Sequence, residues 1–432
     1  MKKKGSAFMK YDTKQFSGIE VDKLLKIKGK IGHGTSIAIA EGDSIETYCS
    51  GSGRYGQDFP VNPDMLFQAG SVSKPIFALT LLRYADKGLV DLDADISTYV
   101  KEYTKIPITF AALLSHTAGF NLHGFPGYPA AAPLLTLEDI LNGKGVTPKL
   151  RRIKPYGKQY WYSGGGYTLA ELAFTRITGT TLQEAFAKEV AEPLGLTRTG
   201  YFQPLDESMV SNAAFGGKLA EKEDAAHGYH YYPEHAAAGL WTTPSELTKI
   251  GIALGRSMRE GGLLKKETAL RMVTPVKGKY GLGIYNLRGD IAYHDGWNEG
   301  FVTTWMFSMR EDLCAAGMLN ISTNELDWAL TNTIVELFQN KEEEMCQNAR
   351  KTDWAFHCGN YEHIAENFHF DEVFLQDGKL YGKSEEATYQ LYAIGENEFG
   401  QKGGFQGGFH KIIFGQDCMI IDGMICKKIG TN

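Results

Sequence analysis

The spacing of apolar side chains divides the chain into segments of different character. Over residues 15–31, Phe16, Ile19, Val21, Leu24, Leu25 and Ile27 recur at helical intervals and predict a helix. Two β-like runs follow, Thr35–Ala40 and Ile45–Cys49, separated by the hairpin-type turn Glu41-Gly42-Asp43. Ser71–Asp86 reads as a helix through Ile76, Leu79, Leu82, Tyr84 and Ala85, with Gly88 closing it. Residues 105–260 read as helices and loops punctuated by Gly and Pro. Four short strands are then predicted, over 281–286, 291–294, 301–307 and 314–320, before an amphipathic helix over 326–340.

Strands at both ends and helices between them predict an α+β domain. One antiparallel sheet is built from the two ends of the segment, flanked by helices, with a helical insertion beside it. This domain is placed at residues 1–340, and the charged stretch 341–351 (KEEEMCQNARK), which lacks an apolar stripe, reads as a linker or as the frayed end of the helix before it. From 352 to 432 the runs 368–375, 379–383, 388–394, 410–414 and 419–426 are aromatic-rich or β-branched. Asp377-Gly378, Gly395-Glu396-Asn397 and Asp422-Gly423 supply turn signals. A small all-β barrel or sandwich of about eight strands is expected there.

Composition narrows the function classes. With 432 residues, 43% hydrophobic and 22% charged, the chain has the makeup of a globular protein with more than one core. The net charge of -6 comes from interspersed charges (Lys+Arg 45, Asp+Glu 51) with no basic stripe, so nucleic acid is not an expected partner. The lysines of MKKKG are not followed by an apolar run, and no stretch of about 18 apolar residues occurs. A cytoplasmic location without membrane insertion is the expectation. The six cysteines show no CxxC pairing and read as reduced thiols.

Three short segments carry candidate chemistry. Ser71-Val-Ser-Lys74 opens the apolar helix, and positions three apart share one helix face. A serine hydroxyl needs a neighbouring base, and a lysine serves only when burial or a nearby cation lowers its pKa. The apolar run Pro75–Leu79 supplies such burial. An N-capping serine beside a solvated lysine accounts for these four residues equally well. Tyr162-Ser-Gly164, followed by two more glycines, predicts a tight turn ahead of a helix at 167–177, presenting Tyr162 or Ser163 to a cleft; taken alone, a purely structural glycine turn accounts for it better. His294-Asp295-Gly296-Trp297 lies between two predicted strands, where it would place an imidazole beside an exposed backbone N–H; a surface turn accounts for it at least as well.

Taken in order, Ser71-x-x-Lys74, Tyr162-x-Gly164 and His294-x-Gly296 resemble the three signatures of the serine penicillin-recognising hydrolases, S-x-x-K, Y-x-N and K-T-G or H-x-G. The class C β-lactamase, D-aminopeptidase and esterase branch is the most similar. Leu113–Gly119, Pro193–Leu196 and Ala238–Pro244 add secondary matches, and the resemblance covers about residues 30–340. It implies a β-lactamase/transpeptidase-like fold and an acyl-enzyme mechanism without metal or cofactor. Ser71 would be the nucleophile, and Lys74 and Tyr162 would share its proton. His294 would stand for the K-T-G lysine, and the backbone N–H groups of Ser71 and Trp297 would form the oxyanion hole. Gly164, Asp295 and Gly296 would line the substrate site. The implied partner is a small acyl substrate or short peptide, D-residues included; no oligomeric state is implied.

Other residues are set aside. His116 reads as structural, and Cys346, His357, Cys358, His363 and His369 lack zinc-site spacing. Nothing places Glu223, Asp224 and His227 near Ser71. The last 80 residues resemble, through Gln376–Leu380, the lipocalin-like β domain appended to some of these hydrolases. A stability or dimer module is preferred there over a cleft wall. A true β-lactamase or D,D-peptidase, an acyltransferase and a non-catalytic acyl-ligand receptor stay open as alternatives.

Overall fold

The computed structural model describes residues 33–54, 57–129, 132–216, 228–287, 290–349, 357–362, 370–384, 387–393, 398–401, 411–414, 418–421 and 424–430. The helix expected at 15–31 and the residues Glu223, Asp224 and His227 lie outside these. The described residues divide between two compact units, with the break between Ile334 and Val335.

In the first unit, six strands form one antiparallel sheet. They are β1 (Thr35–Glu41), β2 (Ser44–Ser50), β3 (Tyr285–Asn286), β4 (Ile291–Asn298), β5 (Phe301–Ser308) and β6 (Leu313–Leu319), in the order β2-β1-β6-β5-β4-β3. Strands from the two ends of the unit therefore meet at β1–β6, where Thr35 faces Leu319 and Glu41 faces Leu313. Residues 281–284, expected as strand, are irregular instead. Gly281 N–H bonds back to Ile284 O, Leu282 N–H to Met272 O and Gly283 N–H to Leu114 O, and Gly283 takes φ +95, so this stretch pairs with no strand.

The four longest helices among the described residues are α1 (Ser73–Asp86), α2 (Gly164–Thr178), α3 (Pro244–Glu260) and α4 (Asn324–Ala349). Gly251 of α3 lies flush on the sheet, since a Cβ there would meet Cys314 Sγ at 2.4 Å and Phe307 Cβ at 3.1 Å. Opposite Gly317 of β6 stand Leu330 and Ile334 of α4. Covered on both faces, β1, β5 and β6 are buried almost throughout. α1 and α2 are buried along most of their length, joined through aromatic contacts of Phe77 with Tyr167 and Phe174. Of the two readings of 341–351, linker or helix end, the second holds for 341–349, which continues α4. It is rich in Glu, Lys, Gln, Met and Ala and contains no Gly or Pro, so nothing in it stops the helix.

In the second unit eight strands, from β7 (Gly359–Glu362) to β14 (Met424–Gly430), close into an antiparallel barrel. Its core gathers Tyr361, Phe370, Val373, Leu380, Leu391, Phe399, Ile412, Phe414 and Met419. Asp377 (φ +51) and Gly378 (φ +74) form the two-residue turn that sets Gln376 against Lys379. The expected run 419–426 is two strands, Cys418–Ile421 and Met424–Gly430, paired to each other. His357 stacks on Phe414 at 4.5 Å. Among the described residues no helix is long and apolar enough to cross a membrane.

Candidate active site

Ser71 is delivered by a sharp turn. Gly70 adopts φ +51, in the left-handed region that glycine occupies without strain, and opens a single 3-10 turn, Gly70–Val72, leading into α1. A Cβ at Gly70 would stand 2.6 Å from the Trp297 nitrogen. A Cβ at Gly296 would stand 2.0 Å from the Ala69 oxygen and 3.1 Å from the Ser71 nitrogen. The two glycines thus let the backbone carrying Ser71 N–H and the backbone carrying Trp297 N–H lie side by side. Ser73 locks the turn, its hydroxyl donating to Gly70 O at 2.6 Å and accepting from Leu240 N–H at 3.0 Å. The N-capping alternative for Ser71 does not hold: α1 has no side-chain cap, and Ser71 Oγ accepts from Lys74 Nζ at 2.9 Å.

Lys74, the second residue of α1 and one turn on from Ser71, has 2% of its surface exposed. Its other hydrogen bond goes to the Ala237 carbonyl at 2.8 Å, and its Nζ lies 4.9 Å from the centre of the Tyr162 ring. Burial lowers its pKa from 10.5 to about 7, while the charge of Asp295 pulls the other way. The Ala237 carbonyl is held by the short helix His235–Ala238. Glu171 of α2 accepts from His235 Nδ1 at 2.9 Å and from Ala236 N–H at 2.8 Å, fixing that helix beneath the lysine.

Tyr162 comes from the segment entering α2. Here the three glycines form the first turn of the helix, which starts at Gly164 and not at 167 as expected. Packing overrides propensity: a Cβ at Gly164 would meet the Phe125 ring at 2.7 Å, and one at Gly165 would meet Leu150 at 2.7 Å. Ser163 is the N-cap, accepting from Gly166 N–H at 2.9 Å and donating to Asn121 O at 2.7 Å. Tyr162 is therefore the residue of the pair that faces the cleft. Its hydroxyl reaches Ser71, and burial holds its pKa well above the usual tyrosine value. His116 is fully buried and accepts from Ser163 N–H at 3.0 Å through Nδ1, with its ring 4.3 Å from that of Tyr162. It positions the tyrosine.

The third motif is divided by strand alternation. Asp295 and Trp297 are partly exposed, whereas His294, Gly296 and Asn298 are buried. His294 has no exposed surface. Its Nδ1–H donates to Asp295 O at 2.6 Å and its Nε2 accepts from Tyr280 OH at 3.1 Å. Burial, and then the charge of Lys74, depress its pKa to about 3, so the ring is neutral. The expectation that His294 faces the substrate is corrected: the imidazole stands behind the wall, and the side chain of Asp295 reaches the cavity. Gly164 is also corrected, because the loop His123-Gly124-Phe125 occupies the wall where it was expected.

These groups surround a cavity of about 560 Å³, with Ser71, Tyr162, Asp295, Gly296 and Trp297 on its surface. His123, Phe125, Tyr160 and Tyr285 complete it and were not singled out from sequence. His123 and Phe125 belong to a Gly-, Pro- and aromatic-rich run, HGFPGYP, which was the available signal. Asn298 was also missed. Its side-chain amide donates to Gln68 Oε1 at 2.9 Å and to Ala238 O at 3.0 Å, tying the end of β4 to the segment before Ser71.

The family model described as Beta-lactamase matches residues 26–339. PbpX of Bacillus subtilis, a protein that carries the penicillin-binding-protein name, is 23% identical over 310 residues, 70% of this chain and 74% of that protein. Lovastatin esterase of Penicillium rubens is 22% identical over 340 residues, covering 61% and 82%. Among solved structures, the D-amino acid amidase of Ochrobactrum anthropi superposes with a TM-score of 0.61 at 18% identity, covering 77% of this chain and 100% of that one.

Proposed function

The chain belongs to the Beta-lactamase family of serine hydrolases, and from that premise we propose that it hydrolyses small acyl esters or short amides through an acyl-enzyme on Ser71. The observation that carries this reading is the 2.9 Å hydrogen bond between Lys74 Nζ and Ser71 Oγ, made by a buried lysine whose pKa is about 7. Near neutral pH a substantial fraction of Lys74 is an amine able to take the serine proton. Ser71 Oγ then bonds to the acyl carbon, and the carbonyl oxygen becomes an oxyanion beside the Ser71 and Trp297 N–H groups. Tyr162, kept a phenol by its raised pKa, gives its proton to the departing alkoxide or amine and regains one from the Lys74 ammonium. Water attacks the acyl-enzyme with the same groups acting in reverse, releasing the acid and free Ser71.

Esters and simple amides are favoured over β-lactams for three reasons. Gly164 offers no side-chain amide to an acylamino group. His294 is neutral and turned away from the cavity. The Asp295 carboxyl on the wall would oppose a substrate carboxylate. The esterase name of the Penicillium relative agrees with this preference. The test combines intact-protein mass spectrometry after fluorophosphonate treatment with kcat/KM on p-nitrophenyl butyrate, D-alanyl p-nitroanilide and nitrocefin. One adduct is expected, lost in Ser71→Ala together with turnover, and nitrocefin should be the poorest substrate. Wild-type turnover by Ser71→Ala would end the reading, and nitrocefin as the best substrate would restore the β-lactamase alternative.

A further inference from the structure

The cavity wall carries an unusual charge inventory. Among the described residues that line it there is no Lys, Arg or Glu, and the charged side chain is Asp295. Half of its side-chain surface is exposed. Among the described residues, the basic nitrogen within 4 Å of its carboxylate is His294 Nδ1, at 3.9 Å, and that ring is neutral; the charge of Lys74 acts on the carboxyl from farther away. His123 has its pKa lowered by burial and by Lys74, so it adds little positive charge at pH 7. The remaining surface is aromatic: Trp297, 41% exposed, with Tyr160, Tyr162, Tyr285 and Phe125. Aromatic faces attract a cation through their quadrupoles, and a carboxylate among them adds a direct counter-charge. An anionic or carboxylate-bearing ligand meets no Lys or Arg side chain on this wall.

Resting on the hydrolase reading above, we propose that the substrate carries an ammonium group, which Asp295 and the surrounding aromatic rings receive while its acyl carbon lies at Ser71. The class is an ester or amide of small size with a protonated or quaternary amine a few bonds from the scissile carbonyl. A volume of about 560 Å³ suits such a ligand. A bound cation also favours the ionised form of the Asp295 carboxyl, offsetting the burial that raises its pKa.

Two measurements on the full chain test this, with Asp295→Asn to remove the charge and Asp295→Glu to restore it. In the first, kcat/KM is compared for butyrylcholine and its carbon isostere 3,3-dimethylbutyl butyrate, which differ only in charge. The ratio should favour the cation by about tenfold or more in the wild type, collapse toward unity in Asp295→Asn and recover in part in Asp295→Glu. An equal ratio in the wild type and Asp295→Asn, or a preference for the neutral ester, overturns the proposal. The second measurement needs no turnover: ethyltrimethylammonium is titrated calorimetrically into both proteins. Binding that weakens about tenfold in Asp295→Asn supports the cation site. Absence of binding to the wild type overturns it. Cation binding without fluorophosphonate labelling of Ser71 would instead refute the hydrolase reading and leave the cation site standing.

Discussion

On the floor of the cleft, Lys74, His116 and His294 are packed away from solvent, Tyr162 lines the cavity beside them, and burial governs the ionisation of all four. At its rim, Asp295 and Trp297 keep about half of their surface open. The same strand, β4, serves both regions by alternation. The contrast separates two tasks. A base that works near neutral pH requires desolvation, which lowers a lysine and raises a tyrosine. A group that selects among ligands must stay accessible to them. Floor residues should therefore affect the chemical step and its pH dependence, and rim residues should affect which substrate is chosen.

The sharpest way to break this division is to remove the floor bases. Lys74→Ala and Tyr162→Phe should each lower kcat by roughly 10²–10⁴-fold, and the double variant by no more than the worse single one, since the two serve one proton path. Multiplying losses in single-turnover kinetics would mean that one of the two is structural.

A smaller loss is expected where floor and rim join. Gly296→Ala places a Cβ 2.0 Å from Ala69 O and should push β4 away from the Ser71 turn. Loss of one oxyanion donor costs on the order of 10²–10³ in kcat. Thermal melting checks that the variant remains folded, and an unchanged kcat would remove Trp297 N–H from the mechanism.

The mildest effect is a shift in pH dependence. Lys74 must lose its proton to act, so kcat/KM should rise with pH to a plateau, with its midpoint at about 7. Asp295 raises the lysine's pKa, so Asp295→Asn should move the midpoint to lower pH. A profile flat from pH 5 to 9, or a midpoint moved upward in the variant, contradicts the linkage between rim and floor.

Features set by local spacing were legible in the sequence. Ser71 and Lys74 stand one helical turn apart by spacing alone, although the hydrogen bond between them depends on the burial that keeps Lys74 out of solvent. The antiparallel sheet was likewise written in short apolar runs at both ends of the domain, and the Asp377-Gly378 hairpin in turn chemistry. Tertiary structure decided the rest. His294-Asp295-Gly296 announces a strand exit but not which of its two faces meets the cleft. Packing of the histidine against Tyr280 turned the imidazole inward and left the carboxyl on the wall. Three glycines signal close approach in any fold; only the neighbouring Phe125 and Leu150 show that they open α2 instead of breaking the chain. The aromatic wall, drawn from positions 123–125, 160, 285 and 297, has no pattern in one dimension. Side chains that meet only through the folded core carry no mutual spacing to read.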